Sequence, residues 1–141
     1  MSRTHGCVPV VVLAMLSSGC GLLSPSSVTV NLVNNGDFTV EVQIFVHSDQ
    51  NVFETLIDDV GEELNFSVPA GSTVSFTRDC DDLQAIIIED ADLQILGGLF
   101  TPDADTGVLR DGSDFGCGDT LTFTFTHPDL ALSLNIAFSA R

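Results

Sequence analysis

The chain has 141 residues, a formal net charge of −16 and a composition in which twenty Asp and Glu face four Arg and no Lys. That length supports one hydrophobic core rather than two. The charge repels phosphate backbones and excludes nucleic acid as a partner, and the absence of Trp and Tyr removes the aromatic platforms on which sugars usually stack, so carbohydrate is not an expected ligand.

The first element is an export signal. Arg3 precedes an apolar run, Val8 to Leu16, which is followed by the small residues Ser17, Ser18 and Gly19 and then by Cys20. The run is about half the roughly 20 residues a membrane-spanning helix needs, and its flanks are those of a cleaved signal peptide over residues 1–19. Leu16-Ser17-Ser18-Gly19-Cys20 resembles the lipobox of bacterial lipoproteins, in which Leu, a small residue and Gly or Ala precede the Cys that receives diacylglycerol. The family sets Leu three residues before the Cys, where this chain has Ser17, with Leu16 one residue further away. The resemblance implies lipidation (palmitate among the acyl chains) at Cys20, attachment to a membrane through that lipid, and a cell-envelope location. The family's signal for inner-membrane retention is Asp directly after the Cys; Gly21 stands there, which favours the outer membrane or its periplasmic face. Residues 20–27, rich in Ser and containing Pro25, then form a short tether.

Export to an oxidising compartment sets the use of the remaining cysteines. Cys7 leaves with the signal, Cys20 carries lipid, and Cys80 and Cys117 remain as a disulfide pair. The other use of two thiolates, metal ligation, would need His47 and His127 to complete a site, and neither Cys belongs to a C-x-x-C pair.

From residue 28 onward, period-two alternation dominates. Val28, Val30 and Leu32 alternate with Thr29 and Asn31; Asn35-Gly36 is a hairpin signal; Phe38, Val40, Val42, Ile44 and Val46 then alternate with Thr39, Glu41 and Gln43. Further strands are predicted at Val52 to Ile57, Leu64 to Val68, Val74 to Cys80, Leu83 to Glu89 and Leu93 to Leu96, separated by Asp, Gly or Pro-Ala-Gly turns. Ile86-Ile87-Ile88 is apolar on both faces, as a central strand would be. A second hairpin joins Leu121, Phe123 and Phe125 to Leu130, Leu132, Leu134, Ile136 and Phe138 through His127-Pro128-Asp129. Seven to nine such strands predict an all-β domain over residues 28–141, a two-sheet antiparallel sandwich, with a closed barrel as the alternative.

Candidate chemistry concentrates between Thr101 and Asp119, where Asp103, Asp105, Asp111, Asp114 and Asp119 interrupt the strand rhythm among glycines. Oxygen ligands on loops suit calcium, although Gly107 stands where an EF-hand-type loop would supply a ligand. A second acidic group, Asp79, Asp81, Asp82, Glu89, Asp90 and Asp92, would join the same end of the sandwich if the Cys80–Cys117 bridge brought the loops together. Asp105-Thr106-Gly107 spells the aspartic-protease triplet, but it follows an acidic loop rather than a buried strand. His47 and His127 sit at strand ends with no strand-elbow-helix to present a Ser, and both methionines precede Cys20, which disfavours a blue-copper site. Phe45, Phe53, Phe100 and Phe115 are the aromatic residues outside the clearest buried phase. The chain therefore reads as a lipid-anchored, non-enzymatic structural or protein-interaction module without a cofactor; the alternatives are a calcium-stabilised binding or adhesion module and a small secreted hydrolase.

Overall fold

A computed structural model describes residues 25–129 and 133–141. The alternating runs become β1 (Ser27–Asn34), β2 (Val40–His47), β3 (Glu62–Val68), β4 (Thr73–Asp79), β5 (Ala85–Leu93), β6 (Asp103–Ala104), β7 (Leu109–Arg110), β8 (Thr120–Thr126) and β9 (Asn135–Ala140). They form two sheets: one in the order β4-β1-β8-β9, the other in the order β3-β2-β5-β6 with β7 also on β5. The result is an all-β sandwich, and the sheets do not close into a barrel.

Both inner faces come from the alternation. Val28, Val30 and Leu32 of β1, Leu121, Phe123 and Phe125 of β8, Val40, Val42, Ile44 and Val46 of β2, and Ile86 and Ile88 of β5 bury their side chains in one core. At roughly 1.5–3 kcal/mol for each large apolar side chain removed from water, this layer is the main stabilising term. All strand partners and core residues among the described residues lie between positions 27 and 140.

Several sequence expectations change, among them the separate strands at Leu83 to Glu89 and Leu93 to Leu96, which are one strand, Ala85–Leu93, followed by a reversal. First, Asn35-Gly36 does not close a hairpin, because β1 and β2 belong to different sheets and the turn is a corner between them. Burial alternation cannot distinguish the two outcomes: strands on opposite sheets of a sandwich face the same core as strands paired in one sheet. The corner is held by Asn34, whose buried side chain donates to the carbonyls of Phe38 (2.8 Å) and Val68 (2.9 Å) and accepts from Gly36 N–H (2.9 Å). A Cβ at Gly36 would lie 2.5 Å from the His127 ring, so the close approach requires glycine there.

Second, the sheets are not wholly antiparallel: β1 and β8 run parallel, from Thr29 opposite Thr120 to Asn34 opposite Phe125, while the other ladders are antiparallel. Third, the run Val52 to Ile57 is not a strand. Glu54–Leu56 is a 3₁₀ turn and Ile57–Val60 a short helix, α1. Phe45 and Ile87 emerge on the outer face of the second sheet, and Val52 and Ile57 fold down over them and Ala85 as a small second core.

The expected β8–β9 hairpin is present, with Phe123 opposite Phe138 and Phe125 opposite Ile136. Its second strand starts at Asn135 rather than Leu130; Leu134 is buried ahead of it, and residues 130–132 lie outside the described residues. The Ile86-Ile87-Ile88 strand is interior, as expected, with β2 on one side and β6 and β7 on the other.

A register shift in β5 decides what the second sheet shows to solvent. Gln43 pairs with Asp90 and Ile44 with Ile88, leaving Glu89 as the extra residue of a bulge. Before the bulge Ile86 and Ile88 face the core; after it Ala91 and Leu93 do. Without that one-residue shift, Asp90 and Asp92 would point into the core.

Candidate functional site

The sandwich has two unlike poles. At one, Ser27 of β1, Asp79 of β4 and Ala140 of β9 come together, and the loop Cys80–Gln84 crosses to the other sheet. Here Cys80 and Cys117 form a disulfide with their Cα atoms 5.4 Å apart, closing a sequence separation of 37 residues. Such a bond fits an oxidising, exported environment. The chain enters at this pole: Cys80 N–H donates to Ser26 C=O (2.9 Å), Gly118 N–H to Ser27 C=O (3.1 Å), and Pro25 packs against Gly118. Cys20, the signal peptide and most of the 20–27 tether lie outside the described residues. No helix among the described residues is long and apolar enough to cross a membrane.

The five aspartates of the Thr101–Asp119 segment are not brought together. The segment runs the length of β5, with β6 pairing near one end, at Ala91 and Asp92, and β7 near the other, at Ala85 and Ile86. At about 3.3 Å per residue, Asp103 beside Asp92 and Asp111 beside Gln84 stand some 25 Å apart, against the 2.3–2.6 Å that calcium ligands require. Each carboxylate has a local setting. Asp103 pairs in register with Asp92, and Asp105 is exposed beside Thr106, whose Oγ1 accepts from Ile88 N–H (3.1 Å). The Asp114 carboxylate accepts from Arg110 N–H (2.8 Å), and that of Asp119 from Gly116 N–H (2.8 Å). Asp111 lies in the same turn as Asp114. Among the described residues no three His, Cys, Asp or Glu side chains are arranged to hold a metal ion.

The second acidic group is likewise divided. Asp79, Asp81 and Asp82 lie at the disulfide pole, whereas Glu89, Asp90 and Asp92 follow β5 away from it. On the outer face, Asp90 and Asp92 of β5 and Glu41 and Gln43 of β2 border a shallow open depression with Asn65 of β3. Asp92 is held above the usual carboxylate range by partial desolvation and by the negative charges of Asp90 and Asp103. Glu63, on the adjoining strand, is shifted downward because Asn65 and Gln43 donate hydrogen bonds to it.

The histidines serve the backbone. His47 Nδ1 accepts from Asp49 N–H and His127 Nε2 from Asp37 N–H, both at 3.0 Å. His127 also lies 5.6 Å from the Phe38 ring, bracing the corner built by Asn34. Of the four phenylalanines singled out above, Phe45 and Phe115 are buried, while Phe53 and Phe100 are exposed.

The far pole carries a feature that composition does not single out. Between Asp92 and Asp103 the chain is uncharged for ten residues, Leu93-Gln94-Ile95-Leu96-Gly97-Gly98-Leu99-Phe100-Thr101-Pro102. It folds as a tight reversal in which Ile95 and Phe100 bridge, and Leu96, Leu99 and Phe100 are 76 %, 85 % and 48 % exposed. Leu96 is the one non-glycine residue among the described residues with positive φ, at 53°, followed by Gly97 at 70° and Gly98 at 89°. A left-handed Leu costs about 1–2 kcal/mol, so the tip holds an unfavourable backbone state while leaving apolar side chains in water.

No family model and no curated protein matches the sequence. Solved structures that match include the NMR structure of a protein from Eubacterium rectale, 12% identical, covering 79% of this chain and 87% of that one with a TM-score of 0.43.

Proposed function

We propose that this is an exported lipoprotein of the cell envelope, a non-enzymatic module that presents an acidic β-sandwich for protein interaction from a lipid at Cys20. The observation that carries this reading is the entry of the chain at the disulfide pole: Pro25, packed on Gly118 beside Cys117, is only five residues past Cys20. Five extended residues span at most about 18 Å, so lipid at Cys20 would keep that pole at the bilayer and turn the other away. The acidic surface adds no attraction to anionic headgroups, which leaves the acyl chains as the attachment. The disulfide also supports export.

The test is the intact mass of protein extracted from membranes. The expected species begins at Cys20, carries acyl chains and has Cys80 and Cys117 oxidised; Cys20→Ser removes the added lipid mass and releases the protein from the membrane fraction. An unacylated N-terminus away from Cys20 would overturn the reading.

A further inference from the structure

The Cys80–Cys117 bond staples the disulfide pole, yet one of its sulfurs lies open to solvent. We propose that Cys117 is a charge-selective thiol-exchange site, whose acidic collar admits thiols carried on positively charged molecules and holds off those that carry carboxylates. The inference does not depend on Cys20 being acylated.

Four observations carry it. Cys117 is exposed while Cys80 is half-buried, with its backbone N–H held by the Ser26 carbonyl, so a nucleophile reaches the Cys117 sulfur first. The bond lies in an open depression bordered by Asp79 and Asp81 on one side and by Pro25 and Ser26 on the other. A tight turn, in which Asp82 N–H and Leu83 N–H both donate to Asp79 C=O (3.0 and 3.1 Å), holds Asp79, Asp81 and Asp82 beside Cys80, and Asp119 stands two residues past Cys117. The Pro25 carbonyl oxygen lies 2.9 Å from Cys117 Sγ; a disulfide sulfur has no proton to give, so this dipole adds to the negative field at the reacting atom. The positive charges do not offset that field: Arg78 pairs with Glu62 and the Arg110 guanidinium donates to Gln50 C=O, which leaves Arg141, paired through its backbone with Thr120, against four carboxylates.

Exchange begins when a thiolate attacks Cys117 Sγ. A new S–S bond forms there, the Cys80–Cys117 bond breaks, and its electron pair leaves on Cys80 Sγ, which takes a proton from solvent. A second thiolate then attacks the incoming sulfur and releases Cys117, so two thiols are oxidised to a disulfide as the protein's bond is reduced. Negative charge thus arrives on the nucleophile and develops on Cys80 beside Asp79 and Asp81. Each further carboxylate on the attacking molecule raises the barrier, whereas an ammonium lowers it. The staple therefore resists anionic thiols although its sulfur is exposed.

In the test, full-length protein is isolated with its free thiols blocked by iodoacetamide, and reduction of the bond is timed at pH 8 and low salt with cysteamine, 2-mercaptoethanol and 3-mercaptopropionate. Each rate is divided by that of the same thiol on hydroxyethyl disulfide, an uncharged reference, which removes differences in thiolate fraction and nucleophilicity. The expected order is cysteamine, then mercaptoethanol, then mercaptopropionate, with the first exceeding the last by at least about tenfold. At about 1 M salt, where the screening length is about 3 Å, that span shrinks severalfold. Asp79→Asn with Asp81→Asn, both exposed positions, collapses the span at low salt. Glu41→Gln with Asp90→Asn, on the outer face, removes the same charge and leaves the span intact. Acid quenching during the cysteamine reaction traps the mixed disulfide on Cys117. Equal normalised rates, a span that follows Glu41 and Asp90 rather than Asp79 and Asp81, or an adduct on Cys80 would overturn the proposal. None of these outcomes bears on the mass of the N-terminus, so failure here leaves the Cys20 reading standing.

Discussion

The two poles of the sandwich are built on opposite principles. At the disulfide pole the turns are closed from within: Asp114 and Asp119 accept backbone N–H groups, Cys80 is bonded to Cys117, and the Arg110 guanidinium donates to the carbonyl of Gln50. At the far pole, one corner is as tightly satisfied, around Asn34, Gly36 and His127, but the adjacent Leu96–Phe100 tip leaves apolar side chains in water and Leu96 in a left-handed backbone state. Order at the first pole stabilises the fold; the tip contributes little to it.

The largest expected effect tests the closed pole. Cys80→Ser with Cys117→Ser should lower stability by about 4 kcal/mol on the chain-entropy model, read by urea unfolding under oxidising conditions. The cost arises because the reduced unfolded chain regains the freedom that closure of the 37-residue separation removed. A loss below about 1 kcal/mol would mean that the backbone ladders hold this pole without the bond.

Next comes the Asn34 corner. Asn34→Ala leaves the carbonyls of Phe38 and Val68 without their donor, one of them in a buried setting, and should cost about 3 kcal/mol. A loss comparable to that of the disulfide would show the far pole to be rigid outside the tip. A negligible loss would show the corner to be as loosely held as the tip.

Two smaller effects concern the outer face and the tip. Asp92 has its folded pKa raised above the ordinary Asp value by partial desolvation and by the charges of Asp90 and Asp103, so the folded state binds its proton more tightly than the unfolded state does. Its contribution therefore becomes less unfavourable as pH falls through the raised value toward the ordinary Asp value, and is most unfavourable at neutral pH. Asp92→Asn should accordingly stabilise at pH 7, by about 0.5 kcal/mol after discounting for solvent screening, with the gain vanishing below the acid window. Denaturant midpoints at pH 7 and pH 3 decide this. Leu99→Ser should shift stability by less than about 0.5 kcal/mol at either pH, because so little of Leu99 is buried. A destabilisation several times larger would place the tip among the elements that hold the fold and erase the contrast between the poles.

Legibility in the sequence follows burial. β1, β2, β8 and β9 were readable because each alternates with one face on the core, and Ile86-Ile87-Ile88 because a central strand is covered on both sides. The Val52–Ile57 segment was not, since its cover over Phe45 and Ile87 is a demand set by two other strands. The metal-like spacing of Asp103 to Asp119 suggested one loop; pairing along β5 spread those residues over the length of a sheet. The exposed tip was foreshadowed only by Phe100, because Leu96 and Leu99 have the composition of a buried strand and nothing local marks them as solvent-facing.

By itself the sequence determined the all-β class, the inward-facing residues of the principal strands, the pairing of Cys80 with Cys117 and the strong negative charge, all of which depend on residue type and local period. Only the tertiary structure decided that Asn35-Gly36 turns between sheets, that β1 and β8 run parallel, and that the Glu89 bulge turns Asp90 and Asp92 outward. The physical reason is that a period of two specifies which side chains share a face but not which strand lies alongside, and one extra residue inverts every face after it.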